Sequence, residues 1–222
     1  KTAAHQQWSG NTDPTAVGTI NTGRPNIRLG ISPYTAPVAN FGAMSPILTE
    51  DFENAAFPPT GWTINNADGA GVTWAAETGI SYSGDSSAYH VWGASGYAET
   101  GWLITNQISL PAGSEYYLTF WNYCEYPGDY GDNAVLISTS TNALASFTTE
   151  LWSPATVSES WTQGVVNLTA YAGQNIYLAF KYTGTYAHSW ALDDVAINSI
   201  NYTQVETYEG DPLMIYDKST NN

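Results

Sequence analysis

Basic residues are nearly missing from this chain. Lys and Arg together number five among 222 residues, against 20 Asp and Glu. The formal net charge is −15 and the sequence pI is about 4.1. Nucleic acid and anionic membrane surfaces repel such a chain, so neither is an expected partner. Cysteine is reduced to Cys124, which excludes an intrachain disulfide. Cys124 falls in an alternating run without a nucleophile motif and reads as a small buried hydrophobe. No apolar run reaches the length of a membrane-spanning helix, so insertion into a bilayer is not expected. There is neither a leader pattern nor an initiating Met, and the sequence reads as starting inside a longer or processed precursor. His5, His90 and His188 are far apart and lack the spacing of a zinc site.

Charge of either sign is scarce at 11%, where about 25% is usual. What fills the gap is Ser, Thr, Asn, Gly and aromatic residues, the last at 14%. The few charges are unevenly placed. Residues 47–200 hold fifteen acids against Lys181 alone, while residues 1–46 carry three bases against Asp13. The centre is therefore a unit of its own, with an N-terminal extension over 1–46 and a short C-terminal segment over 201–222.

Periodicity is almost wholly that of strands. Tyr116–Cys124 alternates with Leu118, Phe120 and Cys124 on one face. Asn175–Tyr182 alternates with Ile176, Leu178 and Phe180 inward. Ala134–Ser138 is an apolar run suited to burial on both faces. Trp102–Ile108 and Trp161–Leu168 add further strands, and Ala143–Phe147 has room for one helical turn. Gly, Pro, Asn and Asp punctuate the runs at sandwich-like intervals. The fold class is all-β: a two-sheet antiparallel jelly-roll sandwich with extra strand segments at both ends.

Two runs put acids inside strand patterns. Leu48-Thr49-Glu50-Asp51-Phe52-Glu53 is one, and Trp190-Ala191-Leu192-Asp193-Asp194-Val195 is the other. Carboxylates there need satisfaction, and a hard cation such as Ca²⁺ supplies it through several oxygen ligands. The alternative is that these acids face water. A third feature is Tyr123-Cys124-Glu125-Tyr126-Pro127-Gly128-Asp129-Tyr130-Gly131-Asp132. It reads as a long exposed loop. Its candidate ligand-binding residues are Tyr123, Glu125, Tyr126, Asp129, Tyr130 and Asp132, since rings and carboxylates together suit sugars or protein partners. Tyr186, His188 and Trp190 are expected to flank the same end. Glycosidase chemistry would need two apposed carboxylates. Glu77, Glu99 and Glu125 are candidates only by lying near aromatic residues, so no catalytic residue is assigned.

The order of short motifs resembles one family. Asp51-Phe52-Glu53 is followed by Gly61-Trp62-Thr63-Ile64 and Ala67-Asp68-Gly69-Ala70-Gly71-Val72-Thr73-Trp74. Then come Tyr82-Ser83-Gly84-Asp85-Ser86, Trp102-Leu103-Ile104-Thr105, Leu118-Thr119-Phe120-Trp121 and Val135-Leu136-Ile137-Ser138. Val166-Asn167-Leu168-Thr169-Ala170-Tyr171-Ala172-Gly173, Ile176-Tyr177-Leu178-Ala179-Phe180 and Leu192-Asp193-Asp194-Val195 close the series. This order is similar to the cleaved-adhesin, or choice-of-anchor, modules of gingipain and haemagglutinin surface proteins. The resemblance implies a galactose-binding-like jelly roll with structural Ca²⁺. Glu53 and Asp193 match the acids that hold the cation, with Asp85 and Asp194 beside them. A second family loop, Asp-x-Asp-Gly-Asp-Gly, corresponds to Asn66-Ala67-Asp68-Gly69-Ala70-Gly71, where Asn66 and Asp68 are the remaining candidate ligands. Two of its three acids are replaced.

The ends resemble neighbouring modules. Residues 21–29 look like the closing strand of a preceding β module, and 211–222 like the opening of a polycystic-kidney-disease-type repeat. The resemblance thus implies a non-catalytic adhesion module of a bacterial protein exported by type IX secretion to the cell surface or beyond. Its partners would be a host or matrix glycan or protein, together with neighbouring modules or identical chains. A fibre subunit built by strand addition, or an accessory domain of a secreted protease or glycosidase, are the alternatives.

Overall fold

The computed structural model describes residues 40–67, 71–93 and 97–204. They form twelve strands in two antiparallel sheets of six. The strands are β1 (Asn40–Glu50), β2 (Thr63–Asn66), β3 (Trp74–Glu77), β4 (Ser87–His90), β5 (Ala98–Ile104) and β6 (Ile108–Leu110). They continue with β7 (Glu115–Glu125), β8 (Asp132–Ser138), β9 (Thr149–Trp152), β10 (Thr162–Asn167), β11 (Gln174–Thr185) and β12 (Ser189–Gln204). The first sheet runs β10-β7-β12-β4-β3, with β1 also on β12. The second runs β2-β5-β11-β8-β9, with β6 also on β11.

The alternation read from the sequence becomes this sandwich. Along β7, Tyr116, Leu118, Phe120, Asn122 and Cys124 are buried while Tyr117, Thr119, Trp121, Tyr123 and Glu125 face outward. On β11, Ile176, Leu178 and Phe180 are fully buried. The expected helical turn is a single 3₁₀ turn over Leu144–Ser146.

Aromatic rings knit the two sheets. Phe120 of the first sheet meets Phe180 of the second edge-on at 5.5 Å, and Phe120 meets Trp152 at 4.9 Å. Trp62 stacks on Phe180, and Trp190 of the first sheet packs on Phe180 at 6.3 Å. Such pairs contribute about 0.5–1.5 kcal/mol beyond their buried area. Gly164 of β10 sits opposite Phe120, and a Cβ there would meet the Phe120 ring at 2.3 Å. Glycine is required because the ring fills that space.

The long pairing of β1 with β12 runs from Asn40↔Gln204 to Glu50↔Val195. The expected division points at 46/47 and 200/201 lie inside these two strands. Residues 202–204 pair with 40–42. The segment 22–31 and the remainder of the C-terminal segment lie outside the described residues.

Candidate functional site

Two places in the sandwich collect polar and aromatic side chains that the core does not use. The first is where the acidic runs meet. Phe52 follows the end of β1 and is buried edge-on against Trp62 at 5.9 Å. Glu53 comes next, outside the strand. Its Oε1 accepts the backbone N–H groups of Asp85 and Ser86, both at 2.9 Å. From the other side, Asp193 Oδ2 accepts the N–H of Tyr82 at 2.7 Å and of Ser83 at 3.1 Å. Asp193 Oδ1 accepts the N–H of Asp194 at 2.7 Å. The Ser83 hydroxyl donates to Asp194 Oδ1 at 3.0 Å. Two carboxylates from opposite ends of the sequence thus clasp one loop, Tyr82–Ser86.

The local backbone explains why. The β12–β7 ladder slips between Asp193 and Ala196, a β-bulge just past Asp193, which still pairs with Trp121 and is fully buried beneath the loop. Gly84 in the loop has φ +60°, and a Cβ there would meet Glu53 Oε1 at 2.3 Å. Only glycine lets the loop close on the carboxylate. Burial raises the Asp193 carboxyl above its ordinary range, against the lowering effect of its N–H donors.

The donor chemistry fits a hard cation. Every polar side-chain atom that bonds in the clasp is oxygen, and Lys181, the lone base between residues 47 and 200, is on β11 in the other sheet, over Trp102. Yet among the described residues no three His, Cys, Asp or Glu side chains are grouped to hold a metal by themselves. Ca²⁺ takes about six to eight oxygens, so loop carbonyls would have to complete the set. Of the other expected ligands, Asp194 is engaged by Ser83, and Asp85 offers its backbone to Glu53. Asn66 ends β2, where its side-chain amide donates to the Val72 carbonyl at 2.7 Å. Asp68 lies outside the described residues.

The second place is one end of the sandwich. The expected long loop is shorter than its sequence suggests, because β7 continues to Glu125 and β8 opens at Asp132. Between them stands one 3₁₀ turn, Pro127–Asp129. The six candidate ligand-binding residues therefore separate. Tyr126 and Asp129 line a cleft of about 270 Å³ with Trp92, Tyr186 and Ala187. Tyr123 and Glu125 belong to the outer face of the first sheet, and the Tyr89 hydroxyl donates to Glu125. Tyr130 is half-buried: its hydroxyl accepts the Asn133 N–H at 2.8 Å and its ring packs on His188 at 4.7 Å. Asp132 opens β8 and is exposed.

Three rings give the cleft its character. Trp92 is 38% exposed, Tyr126 47% and Tyr186 54%, which is unusual for rings of this size. Trp92 meets Tyr186 edge-on at 5.3 Å, and the Trp92 backbone N–H donates to Ser189 Oγ at 3.2 Å. Tyr126 and Tyr186 both have left-handed backbones, at φ 59° and 48°. The other two non-glycine residues with positive φ are Phe52 and Asp194 at the clasp. Backbone strain among the described residues is thus confined to these two places, a pattern associated with functional sites.

A buried hub supports the cleft floor. Gly131 N–H donates to His188 Nδ1 at 3.0 Å, so Nε2 carries the proton and donates to Asn133 Oδ1 at 2.7 Å. The Tyr182 hydroxyl donates to the His188 carbonyl at 2.7 Å. Burial, and then the neighbouring His90, push the His188 pKa down to about 4. His188 is adjacent to Ala187 and Tyr186 in the cleft. Of the three residues expected to flank this end, Tyr186 lines the cleft, His188 lies under it, and Trp190 is core. Sequence reasoning missed Trp92, which stands in no motif. An isolated Trp beside Gly93 was the available signal.

Burial pushes the Cys124 thiol up to about 12, far from a reactive thiolate. Glu77 accepts the Gly79 N–H at 2.9 Å, Glu99 is buried, and Glu125 bonds Tyr89.

Comparison with known proteins agrees with this architecture. Hemagglutinin A of Porphyromonas gingivalis is 29% identical over 190 residues, covering 73% of this chain and 7% of that protein. The chain therefore spans a small fraction of the curated relative it matches. The K3 cleaved adhesin domain of Lys-gingipain from the same organism superimposes with a TM-score of 0.55 at 26% identity, covering 70% of this chain and 99% of that domain. A carbohydrate-binding module, TmCBM61, solved with β-1,4-galactotriose, shares the fold at a TM-score of 0.50 and 18% identity, covering 69% of this chain and 97% of its own. The model of the Cleaved Adhesin Domain matches residues 45–197, and the chain belongs to that family.

Proposed function

We propose that this module is a non-catalytic, extracellular adhesion domain that binds neutral glycans through the cleft of Trp92, Tyr126, Asp129 and Tyr186. The observation that carries this reading is the cleft itself, with three exposed rings around one carboxylate. Sugar C–H faces stack on aromatic rings, while hydroxyl groups donate to a carboxylate. Asp129 is the cleft's lone charged lining residue, so acidic sugars are disfavoured. The volume, about 270 Å³, falls just below the roughly 300–1,000 Å³ usual for small-molecule sites and suits a chain end rather than a long polymer. The galactotriose complex of TmCBM61 concerns that protein, and the likeness to it extends to the fold.

The same reading includes a structural Ca²⁺ held by Glu53 and Asp193 with oxygens of the Tyr82–Ser86 loop. Asp85 and Asp194 would enlarge the negative field. When bound, the cation would neutralise the buried carboxylate and fix the loop. A fibre built by strand addition at β1 is less favoured. Pro46 lies in that strand and a bulge follows it, and both features blunt an edge.

Replacing Trp92 or Tyr186 with Ala is expected to weaken glycan binding about three- to tenfold, since a stacked ring contributes about 0.5–1.5 kcal/mol. The melting temperature should move by less than about 2 °C, because both rings are well exposed. Calorimetric titration with neutral oligosaccharides, beside melting curves, checks this. Unchanged affinity in both variants would remove the cleft from the account.

A further inference from the structure

The outer face of the first sheet carries a second aromatic cluster that neither the core nor the cleft uses. Trp121 and Tyr123 point outward from β7, opposite the buried Phe120, Asn122 and Cys124. Tyr82, from the loop held by Glu53 and Asp193, stacks on Trp121 with ring centres 3.8 Å apart. Trp161 stands edge-on to Tyr82 at 6.0 Å and tilted against Tyr123 at 5.6 Å. Tyr82 is 42% exposed, and Trp121, Tyr123 and Trp161 are each partly exposed. The four rings therefore form one continuous surface patch.

Its electrostatic setting is one-sided. Glu125 and Glu159 both bear on the Tyr123 hydroxyl, whose pKa is raised by burial first and then by these two carboxylates. Glu159 is exposed. The described part of the first sheet contains no Lys or Arg, because Lys181 is on β11 of the second. Rings whose faces are electron-rich, set among uncompensated carboxylates, complement a cation that can lie flat on them. A guanidinium does this better than an ammonium, since it is planar and weakly hydrated. A neutral sugar would stack on the rings and donate hydroxyls to a carboxylate, but it would leave the surplus negative charge uncancelled.

We propose that the Tyr82–Trp121–Tyr123–Trp161 patch, flanked by Glu125 and Glu159, docks an arginine-bearing segment of a protein partner. The site is separate from the glycan cleft and uses the loop clasp to present Tyr82. The module would then hold a glycan at its end and a basic polypeptide on its sheet face.

Hexa-arginine peptide, titrated calorimetrically in physiological salt, is the test probe. Wild type should bind it, and Trp161→Ala should weaken binding about fivefold, the upper range of an exposed cation–π contact. Trp161→Phe should recover part of that loss. Glu159→Gln, at an exposed position that cannot disturb folding, should weaken binding about threefold. Trp92→Ala should leave peptide binding unchanged, which keeps this test independent of the cleft. The proposal is overturned if the peptide does not bind, or if it binds equally to wild type, Trp161→Ala and Glu159→Gln. The last result would mean attraction to net charge alone. It is also overturned if Trp161→Ala abolishes binding of a neutral oligosaccharide but not of the peptide, which would make the patch a sugar platform.

Discussion

Asp193→Ala is expected to be among the most damaging single substitutions in this module. The carboxylate is fully buried and satisfies three backbone N–H groups, those of Tyr82, Ser83 and Asp194. Removing it leaves those donors without their acceptor, at about 1 kcal/mol or more each. A loss of about 3 kcal/mol or more is a large share of the roughly 5–15 kcal/mol that holds a domain together. Asp193→Asn should cost less, because one oxygen remains to accept. Calcium provides a second arm. A cation at a hundred times its dissociation constant adds about 2.7 kcal/mol of stability to wild type. A chelator should remove that increment, and Asp193→Ala should respond to neither. Urea unfolding of both proteins, with calcium and with chelator, measures all of this. A variant within about 0.5 kcal/mol of wild type would show that the clasp is decorative. A wild type indifferent to calcium would remove the cation and leave the clasp.

Mild acid should weaken the fold through His188. Its ring is neutral in the folded state, with Nδ1 accepting from Gly131 and Nε2 donating to Asn133. The folded pKa is pushed down to about 4, against an ordinary value of 6.5. Between those two values the unfolded chain takes up a proton that the folded one refuses, so stability falls as pH falls. Above 6.5 neither state is charged there and nothing is lost. Across the window the loss is roughly 3 kcal/mol. His188→Gln should show a shallower decline from pH 7 to pH 4.5 in urea midpoints. Parallel declines in wild type and variant would mean that other groups carry the acid sensitivity. Because Tyr186 and Ala187 line the cleft, glycan affinity should fall over the same range.

The sandwich was legible because its strands alternate cleanly. The inward faces of Tyr116–Cys124 and Asn175–Tyr182 follow from period two, and the sheets obey it. The acidic clasp was legible in part. Glu53 and Asp193 stood out as carboxylates in strand patterns, and the fold does bring them to one loop. The bulge that follows Asp193 in β12 has no sequence signature. The aromatic loop was the least legible element. Its Pro and Gly suggested a long excursion, but the alternation of β7 runs on to Glu125 before a single tight turn. That difference moves Tyr123 and Glu125 to a sheet face and makes Tyr130 a packing residue. Trp92 and Tyr186 reach the cleft only through tertiary pairing: Trp190 of β12 aligns with both His90 of β4 and Cys124 of β7, bringing the ends of those strands together. No local pattern encodes that meeting.

The indole N–H signals of the tryptophans offer the most direct test of where this module binds glycans. They can be assigned by substitution and followed by NMR while a panel of neutral oligosaccharides is added. The account predicts that Trp92 shifts first and saturably, while Trp121 and Trp161 on the sheet face stay in place. Saturable shifts at Trp121 and Trp161 with Trp92 unmoved would contradict it.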